Sequence, residues 1–200
     1  MGVDEAVAAL ERGEFVVLPT DTVYGLCASP RREDAVRTVA RLKGRPEGMP
    51  MALLAAEVAA ILEAVPELRA SEKLLAGLLP GAYTLVLPNP AARLAWLSGA
   101  NPRAIGIRVP NLPAPARAVL ERVGVVAATS ANLHEQPDPA QLGDVPEEIA
   151  RSAAVLLDAG ELPGTPSTVV DLTGSQPRVL REGAVPAAEA LAAIARAATE

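Results

Sequence analysis

The sequence predicts an α/β protein, α+β in its detail, built on one mixed twisted sheet with flanking helices. Three observations carry that expectation. Short apolar runs of strand length recur along the chain, segments with helical apolar spacing lie between some of them, and the two do not alternate strictly. A doubly wound parallel sheet needs strict alternation, so a mixed sheet is favoured. Two hundred residues at 50% hydrophobic content can fill one core, which suits a single domain over residues 1–200.

The elements follow in order. Asp4 to Arg12 reads as a helix, with Val7 and Leu10 three apart and Gly13 at its C-terminal end. Phe15 to Leu18 reads as a buried strand that Pro19 is expected to stop, leaving Thr20, Asp21, Thr22 and Tyr24 where a strand leaves the sheet. Open α/β sheets usually bind ligands at such places. Residues 33–42 form a helix with Val36, Val39 and Leu42 on one face, and it delivers the chain to Lys43 and Arg45. A strand at 52–54 precedes helices at 55–64 and 67–78. Strands are expected at 83–87, 104–109, 124–128, 154–157 and 167–171, then a short strand bearing Arg181 and a closing helix at 187–198. Asp138 to Gln141 reads as a turn and helix start. Prolines and glycines at many strand ends imply rigid connecting loops, suited to holding ligand groups.

Composition narrows the chemistry. The apolar content is mostly Ala, Val and Leu, with one Phe, one Trp and two Tyr, so stacking platforms for single-stranded nucleic acid are nearly absent. One cysteine, Cys27, excludes a disulfide scaffold, and one histidine, His134, leaves no zinc motif. A formal charge of -6 argues against broad binding to a nucleic-acid backbone. The first residues lack a basic stretch before their apolar ones and no long apolar span follows, so a soluble cytoplasmic protein with no membrane contact is expected.

Four clusters carry chemistry. In Lys43 to Pro46, Lys43 offers a point charge and Arg45 a planar fork, a pair suited to phosphate oxygens, with Gly44 between them allowing close backbone approach. A solvated basic helix end explains the same residues. Around them Arg31, Arg32, Arg37, Arg41, Lys43 and Arg45 outnumber Glu33, Asp34 and Glu47 in an otherwise acidic chain, which favours an anionic ligand. In Ile105 to Pro110 the alternation puts Arg108 and Gly106 on one strand face, so Arg108 is either a carboxylate or phosphate binder or an edge-strand arginine in solvent. In Ala128 to Pro137, Thr129, Ser130 and Asn132 expose short donors that can wrap phosphates or cap a turn. His134 reads as a surface loop residue. In Gly164 to Leu172 and Val179 to Gly183, Arg181 is expected over the same pocket as Ser167, with Asp171 an anchor rather than a base. No nucleophile, histidine and acid form a relay, and Cys27 reads as a buried hydrophobe. There is no GxxxxGK[ST] loop and no GxGxxG fingerprint, so dispersed side chains would hold any nucleotide.

Read together, PTDTVYGL (19–26), KGRP with Pro50, PGAYTLVL (80–87), IGIRVP (105–110), TSAN (129–132), STVVD (167–171) and LREG (180–183) resemble the YrdC-like family, threonylcarbamoyl-AMP synthases, in its short single-domain form. The strings run in order from Pro19 to Gly183. The resemblance implies an open twisted sheet with a concave basic cavity, and a nucleotidyltransferase making threonylcarbamoyl-adenylate and pyrophosphate from L-threonine, bicarbonate and ATP. It implies that tRNA threonylcarbamoyl-transferase proteins take up the product, with weak or indirect tRNA contact. Carried over by matched position, Thr20, Arg108 and Ser167 contact threonine and Tyr24 shapes that pocket. Lys43, Arg45, Ser130, Asn132 and Arg181 hold the nucleotide. Lys43, Arg45 and Arg108 are the catalytic cations. Mg²⁺ rides on the ATP phosphates, since no carboxylate cage is visible.

The chain departs from the family pattern at two places. His134-Glu135 stands where the family often has Ser-Gly, so a position with positive φ is expected to be strained. After KGRP, Glu47, Gly48 and Met49 precede Pro50, and Met51 to Leu54 replaces a string ending in histidine, so no histidine stands at Leu54 to meet threonine. Three other readings stay open on sequence grounds: a carbamoyl-adenylate enzyme, an RNA-binding module, and a relative without activity.

Overall fold

The computed structural model describes residues 2–46 and 48–198; Glu47 lies outside the described residues. In chain order the elements are α1 (Val3–Arg12), β1 (Val16–Pro19), β2 (Tyr24–Ala28), α2 (Glu33–Leu42), β3 (Ala52–Ala55), α3 (Val58–Ala64), α4 (Glu72–Leu78), β4 (Tyr83–Pro88), β5 (Ala104–Arg108), α5 (Ala114–Val123), β6 (Val125–Ser130), α6 (Glu147–Ser152), β7 (Val155–Leu156), β8 (Thr168–Asp171), β9 (Arg178–Arg181) and α7 (Ala187–Ala197). Among the described residues one sheet forms, in the order β7-β1-β2-β6-β3-β5-β4-β8-β9. Parallel pairs (β1 with β7, β3 with β5, β4 with β8) are interspersed with antiparallel ones, the mixed sheet that the irregular alternation predicts.

Strand residues alternate between two apolar layers. Val17, Leu26, Leu53, Leu85, Ile105, Ile107, Ala127 and Val170 point to the layer of α2, α3, α4 and α7. Val16, Leu18, Cys27, Leu54, Val126 and Ala128 point the other way, toward α1 and α5. That second cover spans only β7, β1, β2, β6 and β3. On the same face of β5, β4 and β8, the side chains of Arg108, Thr84, Val86, Val169 and Asp171 meet no helix among the described residues and line a cavity instead.

Several boundaries differ from the sequence expectation. Pro19 is the last residue of β1 rather than its stop, and the chain turns straight back at Thr20–Val23 into β2, which the sequence reading did not include. All five β2 residues are buried, so no alternation signals the strand. Helix α5 is a further element beyond the sequence expectation; Pro115 sits in its first turn, where its missing N–H costs nothing. The expected helix at 67–78 is a 3₁₀ segment, Pro66–Ser71, followed by α4.

The LREG string is explained by a close approach. Gly183 N donates to Thr168 Oγ1 at 3.0 Å, and Ala184 N donates to Pro166 O at 2.8 Å. A Cβ on Gly183 would stand 2.2 Å from Pro166 O. Gly183→Ala is therefore expected to destabilise the protein by about 1–3 kcal/mol, as overpacking does, with a lower midpoint and unchanged slope in urea denaturation. An unchanged midpoint would show that this junction yields freely.

Candidate active site

The cavity holds about 850 Å³ and is bordered by Lys43, Arg45, Arg108, Ser130, Asn132, Ser167 and Arg181. The four cations that the sequence singles out thus meet in one space, although they come from the end of α2, from β5 and from β9.

Arg108 lies on an interior strand between β3 and β4, which removes the edge-strand reading. It is 8% exposed and pairs with Asp21, while Nη2 also donates to Thr22 Oγ1 at 2.6 Å. Asp21 Oδ2 accepts from Asn111 N at 3.0 Å, so the counterion is itself held. Burial pulls the guanidinium below the usual arginine range, Asp21 opposes that, and Arg181 adds repulsion. Its Nε is buried with no hydrogen-bond partner among the described residues. An orphaned buried donor of this kind is costly unless a ligand takes it. Beside it, Ser167 Oγ and Thr84 Oγ1 lie 2.8 Å apart. Thr20 borders the same space, but its hydroxyl donates to Val23 O at 2.7 Å and accepts from Val23 N at 3.2 Å, pinning the turn.

At the other side the end of α2 meets the end of β6. Arg45 Nη1 donates to Thr129 Oγ1 at 2.9 Å. Burial, then repulsion from Arg181, lowers the Arg45 guanidinium. Lys43 is buried, and its ammonium donates to Ser130 O and, at 2.6 Å each, to Asn132 O and Asn132 Oδ1. All three of its donors are committed to the loop after β6, so Lys43 acts as a clamp beneath that loop. Burial and then Arg45 push its pKa down to about 8, with Asp138 pulling the other way. Gly44 has φ +62° with open space around it, so its need is the left-handed conformation rather than close approach.

Arg181 arrives through an irregularity. Val169 faces Arg181 while Val170 faces Val179, which leaves Leu180 unopposed in a bulge. Arg181 Nη2 then reaches Ser167 O at 2.9 Å. Asp171 is an anchor, as expected: Oδ1 accepts from Thr173 Oγ1 at 2.6 Å, which chiefly holds the carboxyl below its usual range.

Tyr24 is a correction. It is fully buried and does not border the cavity; its hydroxyl lies 2.7 Å from Asp158 Oδ1 and accepts from Ala159 N at 3.0 Å. As the first residue of β2, next to Gly25 on the cavity side, it must point to the opposite face. His134 is corrected as well, because it is half-buried and borders the cavity, with its backbone N donating to Lys43 O at 2.8 Å. Glu135 has φ +62°, the strain expected of a non-glycine residue there. The sequence gives Thr84 no role, and it gives no partners to Asp21 at the strand end or to Thr129 among the short donors. The carboxylate inside the PTDTVYGL string is the one signal that could have found a partner for Arg108. Cys27 is buried and its thiol is pushed up to about 12 by burial.

With this geometry in view, a family model covering Sua5, YciO and YrdC, described as telomere recombination, matches residues 8–183. The chain belongs to this family. Among Sua5/YciO/YrdC relatives, a Mycobacterium tuberculosis protein is 36% identical over 188 residues, 92% of this chain and 85% of its own length. The threonylcarbamoyl-AMP synthase of Stenotrophomonas maltophilia is 33% identical over 166 residues, 80% of this chain and 87% of that protein. The solved structure of P. abyssi Sua5 complexed with L-threonine superposes with a TM-score of 0.84 at 32% identity, over 96% of this chain and 57% of that one.

Two expectations follow. Glu135→Gly removes left-handed strain of about 1–2 kcal/mol and adds chain entropy of about half that, so the variant should be equally stable to about 1 kcal/mol more stable in urea denaturation. Lys43 is an ammonium below its pKa of about 8 and a neutral amine above it. Affinity for an anion of fixed charge such as sulfate should therefore be greatest below pH 8 and fall above it, by calorimetry, while Lys43→Met binds more weakly with no step in that range.

Proposed function

We propose that the chain is an L-threonylcarbamoyladenylate synthase, taking L-threonine, bicarbonate and ATP to threonylcarbamoyl-adenylate and pyrophosphate. The observation that carries this reading is the convergence of Lys43, Arg45, Arg108 and Arg181 on one cavity with two distinct sides. In a family whose members include named threonylcarbamoyl-AMP synthases, that convergence supplies the matching chemistry.

Threonine takes the side of Arg108, Thr20 and Ser167, where the unpartnered Nε suits a carboxylate and Asp21 keeps the guanidinium in place. The nucleotide takes the side of Arg45, Ser130, Asn132 and Arg181, with Lys43 holding the loop and adding charge beneath it. The threonine nitrogen forms a bond to the carbon of bicarbonate and water leaves. The resulting carbamate oxygen then bonds to the α-phosphorus as the bond to the β-phosphate oxygen breaks, and pyrophosphate departs. Negative charge grows on the phosphates during that step, and fixed guanidinium groups stabilise it without reorganising. Holding the reactants side by side supplies much of the remaining acceleration. The amine proton passes to carbonate or phosphate oxygens of the substrates themselves.

Among the described residues no group of three His, Cys, Asp or Glu side chains could hold a metal ion. Mg²⁺ therefore enters this reading as part of the ATP substrate. The chain acts as a single catalytic domain, and threonylcarbamoyl-transferase proteins carry the product to tRNA, with tRNA contact indirect. No helix among the described residues is long and apolar enough to cross a membrane. In this reading the activity is cytoplasmic.

Incubation with ATP, bicarbonate and L-threonine should give the adenylate by mass spectrometry, and omission of any one substrate should abolish it. Arg45→Ala should raise the KM for ATP about 10- to 100-fold, the loss of a charge-assisted hydrogen bond. Absence of adenylate with all three substrates present would overturn the assignment.

A further inference from the structure

Glycine inside a strand weakens it and normally marks a bulge, a bend or a close backbone approach. Gly106, in the middle of β5, marks none of these. Its φ is not positive, its register with Val86 is regular, and a Cβ there would lie 3.6 Å from Thr84 Cγ2 and 3.9 Å from Ala52 Cα, ordinary contact distances. Gly25 in β2 is alike, with the nearest atom to its Cβ position, Thr129 O, at 3.6 Å. Gly99 and Gly183 differ sharply, since a Cβ on either would fall 2.2 Å from a carbonyl oxygen. The fold thus requires glycine at 99 and 183 and has room for alanine at 25 and 106.

Both of the unrequired glycines border the cavity, on the sheet face that also presents Ala52, Ala104 and Ala128 to it. At these five positions the floor carries nothing larger than a methyl, with Val86 and Thr84 beside them. One end of it is Arg108, two residues along β5 on the same face, more than nine-tenths buried and with Nε unpartnered. The other end is Ser130, directly across from Gly25.

We propose that Gly106 sets the depth of the cavity where the acyl group is joined to the nucleotide, making it a specificity-determining residue for the size of the amino acid. The inference rests on the synthase reading, because a ligand with its carboxylate on Arg108 and its phosphate at the Ser130 side would lie over the floor formed by Gly106 and the neighbouring Ala52. A methyl group there would fill the space the threonylcarbamoyl link needs. Gly25 holds open the corresponding space beside the phosphates.

The test uses the full chain with Gly106→Ala and Gly25→Ala, reading melting temperature, ATP affinity by calorimetry, and adenylate formation with threonine and with serine. Both variants should melt at or above the wild-type temperature. Gly106→Ala should lower kcat/KM for threonine about tenfold or more while leaving ATP affinity within about threefold, the scale of one methyl in a fitted site. Serine, one methyl smaller, should lose less, so the serine-to-threonine ratio rises. Gly25→Ala should weaken ATP instead. A lowered melting temperature for Gly106→Ala, or an unchanged kcat/KM for threonine, overturns the proposal with the synthase reading intact. A wild-type chain that forms no adenylate overturns both.

Discussion

The half-covered sheet is the constraint on which the rest of the molecule depends. Helices α1 and α5 bury one face of five strands and stop at β3, so β5, β4 and β8 present the same face with no helix packed on it among the described residues. Exposed strand faces of aliphatic residues would invite association. This face instead carries a glycine, an alanine, a threonine, two valines, an aspartate and an arginine, and its opposite face supplies Leu85, Ile105, Ile107 and Val170 to the core. Strand periodicity of two makes this division possible: one set of residues builds the interior and the alternate set builds the cavity.

Holding several cations around one cavity is unfavourable, and the fold offsets that cost with local acceptors rather than with a matching ring of acids. Arg108 has Asp21, Lys43 has two carbonyls and an amide oxygen, and Arg181 leans on Ser167 O. Among the described residues Arg45 has a single hydroxyl. Much of the positive charge thus remains for a guest to neutralise. Removing Asp21 alone would strand a buried guanidinium, the costly kind of change, whereas the surface pairs Arg32–Asp34 and Arg37–Glu33 contribute little.

Much of this was legible in the sequence because the cations sit on strong local signals. Lys43 and Arg45 follow a clear amphipathic helix, and Arg108 follows a strict apolar alternation. Their convergence was not legible from spacing, since it depends on β3 lying beside β5 and β6, a pairing between distant segments. Tyr24 was misplaced for a related reason: a strand buried on both faces shows no period, so its inward and outward residues cannot be told apart until the hairpin is seen. The commitment of the Lys43 ammonium to backbone carbonyls was likewise hidden, because no side-chain string encodes a carbonyl acceptor. Strain at Glu135 was legible only through the family pattern, which often has glycine there.

Cys27 is the one sulfhydryl in the chain, and it lies between β1 and β6 with its thiol pushed up to about 12. A maleimide dye therefore meets no native target while the protein stays folded. Leu180, half exposed on the bulge at the cavity rim, is then a natural place to engineer a single fluorescent reporter whose signal follows occupancy in real time.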